Sequence, residues 1–288
     1  MKIKIVSFLL VLLFSSGCYA ASGWIEVPPL YWGGSNSIAI QSAIDTLAAQ
    51  GGGTVKLSGL HRISNSIVLK SHVNIIGAGG GILSASGISM AGDMSGTVIL
   101  PMFSGFPVFV NDPGTHIHNF EVSNLSIDYS KATGNLPSSD QNDVGFKFSG
   151  KMADNFRIEN VVVKNAYHGY WDNSSSWMSV LNRVWTRNCR NGFYKIYGTT
   201  FTFSNCYAEG SKNAVYDQKG WHIESTLASS LLNCASDKFS SPSSVYLLNN
   251  RGLSVIGFDA EYNQSSSGKV ITESGNIGLT MMGVTYVN

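Results

Sequence analysis

A short alternation of apolar and polar residues recurs along the chain and ends each time at Asn or Gly. It occupies residues 73–77, 120–124, 156–160, 178–182, 201–205, 229–233, 253–257 and 279–283. From Asn124 onward its last residues are separated by 22 positions (Asn160 to Asn182) to 36 positions (Asn124 to Asn160), about the length of a coil with three short strands. Asn and Gly adopt the left-handed backbone of a sharp corner at little cost. The pattern predicts an all-β solenoid, a right-handed parallel β-helix, with coils over about residues 54–288.

Two other all-β architectures fit this pattern less well. An antiparallel sandwich joins its strands by hairpin turns such as Asn-Gly, and Asn191-Gly192 is the single dipeptide of that kind. A β-propeller repeats at longer and more regular intervals. The solenoid is therefore the favoured fold.

One segment before the coils has helical periodicity. Over about residues 37–50 the apolar side chains fall on one face, namely Ile40, Ile44, Leu47 and Ala48. Asn36 or Ser37 can cap its start, and the glycines at 51–53 end it. Because a solenoid needs its open end covered, the segment predicts an N-terminal capping α-helix.

The first 20 residues have the order of regions typical of a secretory signal peptide. Lys2 and Lys4 precede an uncharged apolar run at 5–14, and small residues lead to Ala20. The run is too short to span a membrane. We expect cleavage after Ala20, a secreted or periplasmic protein that does not span the membrane, and a single domain over residues 21–288. Lipid attachment at Cys18 is the less favoured alternative, because Ser15 is not a branched aliphatic residue.

The charge balance excludes one class of partner. Without Lys2 and Lys4 the 19 basic residues fall to 17, against 18 acidic residues, so the mature chain is close to neutral. Nucleic-acid binding requires a strongly basic surface, and we expect no nucleic-acid partner. Charged residues make up 13% of the chain, and its 31 glycines suit tight turns between short strands rather than helices.

Three cysteines remain after cleavage, and two histidines lie close together in the sequence. An odd number of cysteines leaves at least one thiol unpaired. Cys206 and Cys234 each follow a corner Asn in adjacent coils, where they either stack as buried thiols or form a disulfide. His116 and His118 alternate within one strand, so structural roles are favoured over a metal site.

Several segments resemble known β-helix proteins. Residues 39–45 (AIQSAID), 51–57 (GGGTVKL) and 69–79 (LKSHVNIIGAG) resemble the opening of pectate-lyase-superfamily proteins, and 205–210 (NCYAEG) and 233–237 (NCASD) resemble phage tailspikes of that superfamily. The resemblance implies a parallel β-helix and, by analogy, a carbohydrate-active function. It carries over no catalytic residue, because the polygalacturonase signatures are absent and residues 169–173 match an alginate-epimerase run only loosely.

A second alternating pattern precedes the corners, at residues 145–148, 169–172, 192–195, 214–217 and 245–248. Stacked coils turn equivalent positions into columns about 4.8 Å apart. Alternation places one column inside, namely Phe146, Tyr170, Phe193 and Val215. The next column then faces solvent, namely Lys147, Trp171, Tyr194 and Tyr216. A row of exposed aromatic residues predicts a surface that stacks on sugar rings; cover by an overhanging loop is the alternative.

The column of Asp172, Lys195 and Asp217 bears on catalysis. Two coils separate the aspartates by roughly 9.6 Å, near the upper limit for an inverting glycosidase. Lys195 between them favours two ionised carboxylates, whereas a general acid needs a raised pKa. A lyase instead needs a base, and positive charge or Ca²⁺ at the uronate carboxylate. We predict a polysaccharide lyase for an acidic, uronate-containing polysaccharide, with the candidate catalytic residues Lys195, Arg190, Asp172, Asp217 and His168.

The substrate-binding candidates are the aromatic and cationic residues on or beside these strands. They are Trp171, Tyr194, Tyr216, Lys147, Lys212 and Lys219, and the two tyrosines are also candidate proton donors. A surface salt-bridge ladder of little energetic weight is the alternative for the charged column. The function classes that remain beside the lyase are a uronate epimerase, a tailspike-like glycoside hydrolase and a non-catalytic glycan-binding or adhesive β-helix.

Two further expectations concern loops and partners. The polar insertions at 130–143 and 236–244 precede the aromatic strands and can wall a groove for the polysaccharide. The last strand pattern is followed by no recognisable cap, and the two alternatives for this end of the solenoid are self-association and a short cap of another kind.

Overall fold

The computed structural model describes residues 23–30, 34–79, 96–134, 136–210, 218–239, 244–261 and 270–287. The predicted signal peptide lies outside these ranges. Within them the chain forms two α-helices and 26 strands, which build a parallel β-solenoid of about 9 turns. The predicted parallel β-helix is confirmed.

The elements follow one another along the chain with short strands throughout. The first part comprises β1 (Trp24–Val27), α1 (Ser37–Ala49), β2 (Gly53–Leu57), β3 (Leu60–Ile63), β4 (Ile67–Val68), β5 (Val73–Gly77), β6 (Val98–Pro101), β7 (Phe109–Val110), β8 (Ile117–His118), β9 (Glu121–Asp128), α2 (Ser130–Thr133), β10 (Val144–Gly150), β11 (Ala153–Asp154) and β12 (Arg157–Lys164). The second part comprises β13 (His168–Ser174), β14 (Val180–Arg187), β15 (Asn191–Ile196), β16 (Thr202–Ser204), β17 (Tyr207–Glu209), β18 (Lys219–Glu224), β19 (Ser230–Leu232), β20 (Ala235–Asp237), β21 (Val245–Leu248), β22 (Ser254–Ile256), β23 (Asp259–Glu261), β24 (Ile271–Ser274), β25 (Thr280–Met282) and β26 (Thr285–Val287).

The strands form three sheets that run along the solenoid. Sheet A has 16 strands, and its main path is β1-β2-β5-β9-β12-β14-β16-β19-β22-β25. Sheet B has eight strands in the order β4-β7-β10-β13-β15-β18-β21-β24, and a small sheet joins β8 to β11. Since each coil adds one strand to sheet B, equivalent residues of successive coils stack in columns on its surface.

The corners of the coils carry the predicted left-handed residues. Asn124, Asn160, Asn205 and Asn233 have φ between 51° and 58°, and glycines continue the column. The side-chain amide of Asn160 donates to Oδ1 of Asn124 at 2.8 Å. The predicted role of Asn and Gly is confirmed at these corners, whereas it is wrong at Gly77, which ends β5 without a left-handed backbone.

One corner lies a residue later than the sequence predicts. Asn182 pairs in register with Glu159, and the left-handed residue of this coil is Arg183, with φ of 54°. Strands β12 and β14 are paired before the corner (Glu159 with Asn182) and after it (Val161 with Val184). This register places Arg183 at the corner, opposite Asn160. Asn182 still joins adjacent coils, because its Nδ2 donates to Oε1 of Glu159 at 3.0 Å.

Helix α1 is present where its periodicity predicts. Its buried residues pack against β1, β2, β4 and β5. The expected side-chain cap is wrong: Asn36 makes no capping hydrogen bond, and its Nδ2 donates instead to the Pro28 carbonyl at 2.9 Å. That α1 covers the end of the solenoid stays a prediction.

The interior of the solenoid is a stack of aromatic and aliphatic side chains. Phe120 and Phe156 stack at 5.1 Å between ring centroids, and Phe193 and Trp221 stack at 4.1 Å. Cys206 and Cys234 are buried and free, as is Cys189. Of the two alternatives for Cys206 and Cys234, buried thiols are therefore confirmed, and the disulfide is wrong.

Candidate functional site

The outward-facing surface of sheet B carries a continuous column of aromatic and basic residues. Hydrogen-bonded register places them side by side in the order Lys147, Trp171, Tyr194, His222 and Tyr246. All five side chains are half-buried. The neighbouring inward column contains Phe146, Tyr170 and Phe193, which are at most 1% exposed, so the predicted orientation of both columns is confirmed for these coils.

The predicted register fails at the next coil. The strand that pairs with β15 is β18, so His222 rather than Tyr216 lies beside Tyr194, and Ile223 rather than Asp217 lies beside Lys195. Residues Lys212, Tyr216 and Asp217 lie outside the described residues. The segment 245–248 is shifted by one position, because Val245 pairs with Trp221 inside the solenoid.

A sequence signal for the true register exists. Four glycines precede the inward aromatic residues: Gly145, Gly169, Gly192 and Gly220. A Cβ atom on Gly169 would lie 2.2 Å from Cγ2 of Thr186, and one on Gly192 would lie 2.5 Å from the Gly220 carbonyl oxygen. Because only glycine fits these close approaches, the repeated Gly-aromatic pair aligns β18 with β15 and would have identified His222 and Glu224.

Asp172 and Lys195 lie inside the solenoid, contrary to the expected open charged column. Both are fully buried, and the Lys195 ammonium lies 2.9 Å from Oδ2 of Asp172. Asp172 also accepts hydrogen bonds from the hydroxyl groups of Tyr170 at 2.8 Å and Ser176 at 2.7 Å. Burial lowers the pKa of Lys195, and the Asp172 carboxylate opposes that shift. In this arrangement neither side chain can contact a polysaccharide on the surface.

Three cations lie over aromatic rings at this face. The Lys147 ammonium is 5.3 Å from the Trp171 ring centroid, and that of Lys219 is 4.7 Å from Tyr246. The Arg190 guanidinium is 5.3 Å from the Tyr167 ring, at the edge of β13. The predicted candidates Lys147, Trp171, Arg190 and Lys219 thus lie on one surface, which presents apolar ring faces and positive charge together.

At the centre of this surface His222 pairs with Glu224, two residues further along the same strand. Nε2 of His222 lies 2.8 Å from Oε2 of Glu224, and the His222 and Tyr194 rings stack at 4.5 Å between centroids. Burial lowers the pKa of His222 below 6.5, although the Glu224 carboxylate opposes the shift. Burial and then the charge of Glu224 raise the pKa of Tyr194 above 10.0. At neutral pH the site therefore holds a neutral imidazole and a protonated phenol.

His168 lies beside this group and is almost completely buried. Its ring packs against Tyr167 at 4.8 Å and Tyr194 at 5.4 Å. Burial, followed by the charges of Lys147 and His222, lowers the pKa of His168 from 6.5 to about 3. His168 is therefore neutral at neutral pH, and its ring packs beside Tyr194 at the edge of the His222–Glu224 pair's surroundings.

We expect the pH dependence of stability to report this burial. Because the pKa of His168 is depressed in the folded state, unfolding takes up a proton between pH 3 and 6.5, so its contribution to stability is complete above 6.5 and declines as the pH falls. His168→Phe should reduce the slope of unfolding free energy against pH in this window by up to about 1.4 kcal/mol per pH unit. Urea titrations at several pH values measure the slope, and an unchanged slope would show that His168 titrates normally.

The two histidines near residue 117 form a separate cluster. Nε2 of His116 lies 2.7 Å from Oδ2 of Asp154, and the ring of His118 packs edge-on against His72 at 4.8 Å. In the described ranges no group of three His, Cys, Asp or Glu side chains is arranged to hold a metal ion. The structural role of His116 and His118 stays a prediction.

The fold and this surface define the class of protein. It is a pectate lyase-like parallel β-helix. Residues 34–236 match the family described as rhamnogalacturonase A/epimerase, pectate lyase-like, and the chain therefore belongs to this family of carbohydrate-active β-helix proteins. Among curated proteins none matches the chain.

Solved structures of similar fold have low sequence identity to the chain. A DFA-IIIase variant of Arthrobacter chlorophenolicus A6 is 12% identical with a TM-score of 0.66, over 91% of this chain and 67% of that one. The A-module of the mannuronan C-5 epimerase AlgE6 of Azotobacter vinelandii is 18% identical with a TM-score of 0.53, over 87% and 72%. A tailspike of Acinetobacter baumannii bacteriophage Fri1, a capsular polysaccharide depolymerase, is 12% identical with a TM-score of 0.50, over 92% and 57%. The chain thus spans little more than half of the tailspike, and these likenesses concern the fold.

The described helices are short. None of them has the length and apolar composition that a membrane crossing requires.

Proposed function

We propose that this protein is a secreted polysaccharide lyase that acts on an acidic, uronate-containing polysaccharide. The observation that carries the proposal is the His222–Glu224 pair, stacked against Tyr194 within a surface of aromatic rings and cations. The polymer would lie along the column on sheet B, with its sugar rings against Trp171 and Tyr246.

The eliminative reaction needs three chemical groups, and this surface offers each of them. A base removes the proton next to the uronate carboxylate, and we assign it to His222. Its Nε2 donates to Glu224, so Nδ1 is the basic nitrogen; this atom is buried without a hydrogen-bond partner, and the polymer has to displace the side chains around it to reach it. A proton donor protonates the leaving oxygen, and the protonated Tyr194 lies against the His222 ring. Positive charge stabilises the carboxylate as its negative charge grows, a role for Lys219 and Arg190. Lys147 is three strands from His222 in sheet B and would bind a neighbouring uronate of the polymer.

The distribution of carboxylates favours a lyase over a glycoside hydrolase. An inverting or retaining glycosidase uses two carboxyl groups that flank the scissile bond. Along the outward positions of β10, β13, β15, β18 and β21, Glu224 is the one carboxylate. Asp172, the other candidate in the described strands, is buried against Lys195. An epimerase shares the proton-removal step and differs in returning the proton to the sugar.

The proposal is tested with the mature protein and a panel of uronate-containing and neutral polysaccharides, with and without Ca²⁺. Ultraviolet absorbance of an unsaturated product and the number of reducing ends are followed together. We expect both signals to rise on a uronate polymer. New reducing ends without absorbance would show hydrolysis, and proton exchange from solvent without cleavage would show epimerisation. Binding without any reaction would favour the glycan-binding or adhesive alternative.

A further inference from the structure

A buried carboxylate at the start of β10 connects loops that border the outer face of sheet B. Asp143 is fully buried and directly precedes Val144, the first residue of that strand. Its Oδ1 accepts the backbone N–H of Gly105 at 2.7 Å, and its Oδ2 accepts the hydroxyl group of Ser138 at 2.6 Å. One side chain therefore holds the loop at 102–107 and the polar insertion before β10.

The main chain of Asp143 makes the connection to the site. Its carbonyl oxygen accepts the N–H groups of Tyr167 at 2.8 Å and His168 at 3.2 Å. Tyr167 lies under the Arg190 guanidinium, and His168 packs against Tyr194. The two loops are thus joined through Asp143 to the segment that begins β13, whose His168 packs against the Tyr194 ring that stacks on His222.

We propose that Asp143 is a positioning residue of the polysaccharide site, which holds these two loops as a preformed wall on the Tyr167 and His168 side of the face. This inference rests on the proposed function. The surfaces of the loops expose large apolar side chains, with Phe103 58% and Leu136 63% exposed. A buried carboxylate that accepts two short hydrogen bonds orders such loops before the ligand arrives, so binding does not bear the cost of ordering them.

The wall acts on binding rather than on the chemical step. Asp143 contacts none of the groups assigned to proton transfer, since its side chain binds only loop donors. Loops that become mobile must be ordered again by the polymer, which weakens the ground-state complex and the transition state alike. The expected signature is a raised KM with little change in kcat.

The first experiment compares Asp143→Ala, which removes both loop contacts, with the wild type on the polymer that the panel identifies. We expect KM to rise about tenfold, the equivalent of about 1.4 kcal/mol, and kcat to stay within about twofold. Ser138→Ala removes one of the two loop contacts and should raise KM by less. The fold should survive, because the Tyr129 hydroxyl still donates to the Phe106 carbonyl at 2.8 Å and anchors the base of the first loop.

The chain offers a matched control in Asp112→Ala. The Asp112 carboxylate also accepts one backbone N–H, from Gly114 at 3.0 Å, and one hydroxyl, from Thr115 at 2.8 Å. Both partners lie in its own turn, so this variant should leave KM unchanged. A fall of kcat in Asp143→Ala without a change of KM would overturn the inference, because a smaller fraction of folded protein gives that result.

Amide hydrogen exchange of the free protein separates this inference from the proposed function. Exchange in the segments 102–107 and 136–142 should accelerate in Asp143→Ala and stay unchanged in β12. Unchanged exchange in both loops would overturn the inference whatever the activity. If exchange rises but the wild type neither binds nor cleaves any polymer, the proposed function fails, and the assignment of the wall to a polysaccharide fails with it.

Discussion

Replacing His222 with Asn should lower kcat on a uronate polymer by about 10²- to 10⁴-fold, the usual contribution of a general base. Asn cannot accept a proton, whereas the neutral imidazole beside Glu224 can. Tyr194→Phe should lower kcat to a similar extent, because it removes the proton donor that stacks on His222. Glu224→Gln keeps an acceptor for the Nε2 proton and should have a smaller effect. The rate of formation of unsaturated product, measured over a range of substrate concentrations, gives kcat and KM for each variant.

The control for this prediction is a second histidine–carboxylate pair. His116 lies 2.7 Å from Asp154 outside sheet B, so His116→Asn should leave kcat unchanged. The pH profile provides an independent check: since burial lowers the pKa of His222, the acid limb of kcat/KM should lie below 6.5. Two results would contradict the assignment of the base. One is a kcat of His222→Asn within about threefold of the wild type, and the other is an equal loss of kcat in His116→Asn.

The second large effect concerns stability. Lys195→Met should reduce the free energy of unfolding by about 3–5 kcal/mol, because it leaves the Asp172 carboxylate buried without its cation. Both members of the pair are 0% exposed, so water cannot replace the lost contact. Chemical denaturation followed by circular dichroism measures the change. The double variant Asp172→Asn with Lys195→Met should recover part of the loss, since it removes the buried charge while the amide still offers hydrogen-bonding groups to Tyr170 and Ser176.

A more exposed pair supplies the comparison. The Lys238 ammonium lies 2.8 Å from Glu209, and its side chain is 34% exposed. Lys238→Met should cost at most about 1 kcal/mol, because solvent screens the pair. If Lys195→Met costs no more than Lys238→Met, Asp172 and Lys195 do not form the charged buried pair that their distance indicates.

The burial of Asp172 and Lys195 follows from the alternation of inward and outward side chains along their strands. The alternation that places Tyr170 and Phe193 inside also places the residues two positions further along inside. The two-residue period of the strand therefore places this charged column in the interior and not in an open groove. The polar residues at 174 and 176 give the reason that the charges are tolerated there, because their hydroxyl groups bind the pair in the interior.

Part of the candidate surface on sheet B was predicted from the sequence. Lys147, Trp171, Tyr194, Arg190 and Lys219 lie on the face where they were predicted. His222 and Glu224 were not predicted, because the segment 214–217 imitates the alternating pattern of the neighbouring coils. Insertions between coils vary in length without disturbing the coils themselves, so a count of residues across such an insertion does not determine which strand pairs with β15.

The sequence by itself determined the solenoid, its Asn and Gly corners and the direction of most side chains, because each depends on local properties. Alternation has a period of two residues, and left-handed corners favour the same residue types wherever they occur. Only the tertiary structure decided which strands are neighbours, and hence that His222 stacks on Tyr194 and that Arg183 rather than Asn182 forms a corner. Neighbouring strands are selected by hydrogen bonds and packing between residues more than 20 positions apart. The alternating pattern does not record that choice, and the glycine before each inward aromatic residue gains its meaning only from the close approaches that the structure shows.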